Sequence, residues 1–147
     1  MAQRMIPTFH ISEYELARVL LVDDNPAARL TLKTVLEAGG YKVNVAASAA
    51  EAVGKLDEGE YELVLSDLQL ESPEAGLKVL GHARMMDYKP ASALITAYQD
   101  APSHAERQQK SLLIKPEDIP DLLGKIADLI AERATRRMRR ELLLARA

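Results

Sequence analysis

Cysteine is absent from all 147 residues. That excludes a disulfide-stapled scaffold and a zinc site built on thiolates, and it fits a reducing compartment. Tryptophan is absent too, and the aromatics amount to five Tyr and one Phe, so a core must come from Leu, Val, Ile and Ala. Apolar runs stop at four or five residues, which excludes a membrane-spanning helix. Met1 to His10 has no signal-peptide core, and a cytoplasmic protein is expected. No repeat and no low-complexity tract interrupts the chain.

What is present is an ordinary globular balance. Apolar residues make up 48 % and charged residues 28 %, in a chain long enough for one domain with a real core. The net charge of −3 hides an asymmetry. Six Arg against Glu132 and Glu141 leave residues 131–147 at +4, so the remainder holds −7. An acidic body suits a cation, and a basic tail suits an anionic or helical partner.

Hydrophobic runs place the elements. Arg18–Val22 and the stretch around Leu63-Val64-Leu65 read as strands buried on both faces, because they are continuously apolar rather than alternating. Tyr41–Ala47 alternates Val43 and Val45 with Lys42 and Asn44 and reads as an edge strand. Pro90–Tyr98 and Ser111–Ile114 supply a fourth and a fifth strand. Between them, Asn25 and Pro26 start a helix that stops at Gly39-Gly40. Ser48 starts another that ends at Gly59. A third runs Leu77–Met86, after a loop from Glu71 to Gly76. A short polar helix is expected at His104–Gln109 and a long one from about Asp118 to Leu144. Strands alternating with helices give an open, mostly parallel sheet covered on both faces. Residues 1–17 form an extension with no assigned role, and residue 18 opens the domain.

In such a sheet, ligands sit outside the carboxyl ends of the strands. The chemically useful residues stand there: Asp23 and Asp24 after the first strand, Asp67 after the third, Thr96 after the fourth and Lys115 after the fifth. A single Asp in this place could simply cap a turn or a helix, but independent placement at four strand ends is a poor fit to that explanation. Three converging carboxylates repel one another unless one protonates or a cation enters. Oxygen-only ligands favour a hard ion, Mg²⁺ or Mn²⁺. With a Lys charge and a Thr hydroxyl nearby, the set can neutralise a phosphoryl group while a carboxylate attacks in line. Asp67 is the best placed nucleophile.

The motifs Val22-Asp23-Asp24-Asn25, Ser66-Asp67, Ile95-Thr96-Ala97 and Ile114-Lys115-Pro116 resemble those of the receiver domains of two-component response regulators, the CheY-like superfamily, over about residues 18–130. The resemblance implies a flavodoxin-like, doubly wound, five-stranded parallel sheet of strand order 2-1-3-4-5. It implies that Asp67 accepts a phosphoryl group from a histidine kinase or a histidine phosphotransfer protein. Asp23, Asp24, Asp67 and the backbone carbonyl of Gln69 would hold Mg²⁺. Lys115 would contact the phosphoryl oxygens, and Thr96 would report the modified state. The family usually carries an aromatic switch residue three positions before the Lys; here that position is Leu112. The loop from Asp67 to Gly76 is one residue longer than the usual pattern.

The expectation is therefore a single-domain phosphoacceptor signalling protein rather than a turnover enzyme, switching contacts with an unknown downstream protein. A Mg²⁺-dependent phosphohydrolase would need an acid two residues after its nucleophile, but Gln69 and Asn25 stand there. A receiver-like module that no longer takes phosphate would have lost Asp67, Thr96 or Lys115, and all three are present. Residues 131–147 extend the last helix. Ile130, Ala134, Met138 and Leu142 form a narrow apolar stripe, with Arg133, Arg136, Arg137 and Arg140 on the other faces. The stripe is expected to dock on a second copy or a partner helix, in preference to nucleic acid.

Overall fold

The computed structural model describes residues 16–68, 70–95, 112–114 and 119–146. Strands β1 (Arg18–Val22), β2 (Lys42–Ala46), β3 (Leu63–Asp67) and β4 (Ala91–Ile95) each have five residues. They lie side by side in the order β2-β1-β3-β4, all parallel. A three-residue strand, β5 (Leu112–Ile114), pairs with β4 in parallel at the edge. The helices are α1 (Pro26–Ala38), α2 (Ala49–Glu58), α3 (Ala75–Arg84) and α4 (Ile119–Arg146). This is a flavodoxin-like α/β sheet. The short polar helix expected at His104–Gln109 and the extension before residue 16 lie outside the described residues.

Alternation along the strands sorts their side chains between two cores. Val19, Leu21, Leu63, Leu65, Ala93 and Ile95 face one side, against Leu32 and Leu36 of α1 and Leu122 and Ile126 of α4. Leu20, Val22, Val64 and Leu94 face the other, against Ala52 and Leu56 of α2 and Val79, Leu80 and Ala83 of α3. Both faces are covered, as continuous apolar runs require. Each fully buried Leu or Val contributes about 1.5–3 kcal/mol relative to exposure. Val79 had no place in the sequence reading and is fully buried. Leu30 lies on the outer side of α1 and is 64 % exposed.

The helix ends follow local chemistry. The Asn25 Oδ1 accepts from the Ala27 and Ala28 N–H groups at 2.9 and 3.0 Å, and Pro26 occupies the first turn of α1. Gly39 and then Gly40, with φ of 100°, close that helix; only glycine adopts such a φ without cost. Ser48 Oγ accepts from the Glu51 N–H, and the Glu51 carboxylate accepts in turn from the Ala47 N–H.

Helix α3 differs from expectation. It starts at Ala75 rather than Leu77 and ends at Arg84 rather than Met86. Gly76 is therefore the second residue of a helix and not the end of a loop. A Cβ there would meet the backbone oxygen of Asp67 well inside contact distance and that of Leu68 at 2.8 Å. Glycine lets the helix start directly against the end of β3.

The last helix runs unbroken for 28 residues, on the order of 40 Å at ~1.5 Å per residue. Its first half is core, and Ile130 packs against that core instead of opening a separate stripe. Arg133 corrects the sequence reading as well. The pattern sets it with Arg136, Arg137 and Arg140 on a face away from the apolar stripe, yet it is buried. Its Nε donates to the Lys89 carbonyl at 2.9 Å and its Nη2 to the Tyr88 carbonyl at 2.6 Å. A guanidinium can be buried when backbone carbonyls replace its water, and the connection between α3 and β4 offers two. Beyond Arg133 every described side chain is exposed, Met138 and Leu142 at 61 % and 60 %.

Candidate functional site

The carboxyl ends of β1 and β3 adjoin because these strands are neighbours, with Val22 opposite Ser66. The next residue on each strand is an Asp. Asp23, Asp24 and Asp67 each bring a carboxylate oxygen within 4.8 Å of the others. Asp67 and an adjacent pair of Asp residues more than forty positions before it thus converge, as their positions at strand ends implied.

The three sit in different surroundings. Asp23 is 6 % exposed, Asp24 is exposed and Asp67 is half-buried. The Asp23 carboxylate accepts from the Asn25 N–H at 2.9 Å, and the Asp23 N–H donates to the Ala46 carbonyl, tying the site to the β2 edge. Burial pushes the Asp23 carboxyl above its usual range, and the nearby Asp24 charge pushes the same way. The Asn25 N–H and, more weakly, the Arg29 cation oppose that rise. The pocket therefore disfavours its own negative charge and calls for a positive one.

The supporting shell is backbone. Leu68 N–H donates to the Ile95 carbonyl at 2.9 Å, and the buried Ser66 hydroxyl donates to the Asp67 carbonyl at 3.0 Å. Gly76 holds α3 against the same segment. Arg29 Nη1 donates to the Asp23 carbonyl at 2.8 Å. Sequence reading gave Arg29 no role, since a cation on a capped helix face carries no distinguishing signal. The donor set is oxygen only, clustered and partly buried, which fits Mg²⁺ or Mn²⁺. Thr96, Lys115 and the backbone carbonyl of Gln69 lie outside the described residues. Leu112 is the first residue of β5.

Comparison with known proteins gives the family and agrees on the fold. The family model of the response regulator receiver domain matches residues 19–127. The chain is 27 % identical over 128 residues to the transcriptional regulatory protein TrcR of Mycobacterium tuberculosis, covering 85 % of this chain and 49 % of that protein. It is 30 % identical to the transcriptional regulatory protein GlrR of Escherichia coli over 80 % of this chain and 27 % of that one. The chain thus spans half or less of these two relatives. Among solved structures, a CheY-like receiver domain protein from Methanospirillum hungatei superposes with a TM-score of 0.71 at 27 % identity, covering 82 % of this chain and 98 % of that one. The response regulator TrrA of Thermotoga maritima, solved in complex with Mg²⁺-BeF, gives 0.69 at 30 % identity over 78 % and 99 %.

Proposed function

This chain belongs to the response regulator receiver domain family, and from that premise we propose that Asp67 is its phosphoacceptor. The observation that carries the reading is the Asp67 carboxylate, at the carboxyl end of a central strand and within 4.8 Å of those of Asp23 and Asp24. The donor is a phosphohistidine of a histidine kinase or a histidine phosphotransfer protein. An Asp67 oxygen attacks phosphorus in line, the P–N bond breaks, and the imidazole leaves and takes up a proton. Asp23, Asp24 and Asp67 would hold Mg²⁺, or Mn²⁺, together with the Gln69 backbone carbonyl. The ion, when bound, offsets carboxylate repulsion and draws charge from the phosphoryl oxygens. The Mg²⁺-BeF complex of the Thermotoga relative supports that ion class.

Lys115 would pair with the phosphoryl oxygens and Thr96 would turn its hydroxyl towards them. Packing at Leu112, in place of an aromatic ring, would pass that change outward. The receiver would occupy residues 18–130, with its last helix continuing as the basic extension 131–147. The exposed Met138 and Leu142 would meet a helix of a second copy or a downstream protein. No described helix is long and apolar enough to cross a membrane, and a cytoplasmic location is part of the proposal.

The test is to incubate the chain with Mg²⁺ and acetyl phosphate and weigh it intact. One phosphoryl adduct, labile to hydroxylamine, is expected in the wild type and none in Asp67→Asn. Equal labelling of that variant would overturn the assignment.

A further inference from the structure

A cavity lies at the end of the sheet opposite the carboxylate cluster. Its volume is about 510 Å³, and it opens between the entry to β4 and the outer half of α4. Its floor is apolar: Pro90 and Ala91 are buried, and Leu129 is half-buried. Its walls carry six cations, Arg84, Lys89, Arg133, Arg136, Arg137 and Arg140, against two carboxylates, Asp87 and Glu141. An excess of four positive charges around one cavity is notable in a chain whose net charge is −3.

The arginines beyond Arg133 are exposed, but the face that carries them is held in place. Arg133, Arg136, Arg137 and Arg140 recur at intervals of three, one and three residues, so they share one face of α4. Buried Arg133 anchors that face to the Tyr88 and Lys89 carbonyls. Lys89 has a φ of 44°, unusual outside glycine, and its Nζ donates to the Arg84 carbonyl. Arg136, Arg137 and Arg140 make no ion pair among the described residues. Burial and the neighbouring Arg137 and Arg136 charges press the Arg133 pKa downwards, while Glu62 and Glu60 oppose this. On the other side of the sheet the Tyr88 hydroxyl donates to the Leu56 carbonyl at 2.8 Å, which fixes the segment whose carbonyls hold Arg133.

We propose that this cavity binds a small polyphosphate ester of the nucleotide type, its phosphates on the α4 arginines and its ring body over Pro90 and Leu129. Guanidinium forks match phosphate oxygens in pairs. The volume falls within the range of small-ligand pockets. The concavity and apolar floor favour a compact ligand with a flat body over a nucleic-acid duplex, whose backbone needs only an open basic stripe. Ala91 and Ile95 stand at opposite ends of β4, roughly 13 Å apart at ~3.3 Å per residue. The site is therefore separate from the carboxylate cluster, and the inference does not rest on the phosphoacceptor reading.

Calorimetric titration of the full chain in excess EDTA tests it, with ATP, AMP and tripolyphosphate as probes; EDTA removes any metal-mediated phosphate binding at the carboxylates. One saturable site is expected, tightest for ATP. Arg136→Gln combined with Arg137→Gln and Arg140→Gln should weaken ATP binding about tenfold or more, from the loss of charge-assisted hydrogen bonds. The same triple variant should keep the wild-type melting temperature and its phosphoryl labelling. Arg139→Gln, which does not line the cavity, should bind like wild type. The proposal is overturned if ATP gives no saturable heat, or if the triple variant binds unchanged. It also fails if tripolyphosphate binds as tightly as ATP, if Asp24→Ala abolishes binding, or if a short DNA duplex displaces ATP at lower concentration.

Discussion

The two ends of the sheet are opposites in charge and in construction. At the carboxyl end, three Asp residues converge within 4.8 Å of one another. Their side chains are short, so the strand termini that carry them determine where the oxygens lie. At the other end, four arginines stand along one face of α4 and reach the cavity on long stems. There the helix sets the spacing, and one buried member, Arg133, sets the position of the face. A short-chain site inherits the precision of the sheet. A long-chain site needs an anchor, because each arginine loses rotamer freedom when it is held.

Three experiments would break or sharpen that contrast. The largest effect is expected at Gly76. Gly76→Val puts a branched side chain into the backbone of Asp67 and Leu68, and should cost about 3 kcal/mol in denaturant unfolding, at the upper end of overpacking penalties. It should also lower phosphoryl labelling, since α3 must move off the end of β3. A variant with wild-type stability would show that the carboxyl end is not held by that close approach.

Arg133 comes next. Arg133→Met keeps the stem but removes both bonds to the Tyr88 and Lys89 carbonyls, and should cost about 2 kcal/mol. Arg139→Met, on an exposed position, should change stability by less than about 0.5 kcal/mol. Equal effects of the two variants would remove Arg133 as the anchor.

The smallest effect concerns the metal. Mg²⁺ at about ten times its dissociation constant should stabilise the wild type by about 1.4 kcal/mol, read as a rise in melting temperature. Asp24→Ala should lose most of that response, because it removes one of three clustered carboxylates. A wild type indifferent to millimolar Mg²⁺ would mean that the cluster is not a cation site. Arg136→Gln should leave the Mg²⁺ response unchanged, as it lies at the far end.

Much of this was legible in the sequence where the cause was local. Asn25 starts α1 and Ser48 starts α2 through side-chain acceptors within one turn, and Pro26 adds a preset first residue to α1. The continuous runs of β1 and β3 announced strands covered on both faces. Strand ends with Asp residues could be read because β1 stops where its apolar run stops and β3 only two residues later. Helix α3 was harder, since its start has no side-chain cap and depends on Gly76 meeting a backbone that lies beside it only in the fold.

The sequence by itself therefore determined strands β1 to β4, the starts of α1 and α2 and the Asp residues at the ends of β1 and β3, since each depends on neighbours within a turn or on the pattern along one strand. Only the tertiary structure decided that β1 lies beside β3 with Val22 opposite Ser66, which joins Asp67 to the Asp23-Asp24 pair in one cluster. It also decided that Arg133 folds inward while Arg136, Arg137 and Arg140 face a cavity. On the chain these arginines look alike. What separates them is a pair of carbonyls more than forty residues away, and no local pattern encodes which guanidinium reaches them.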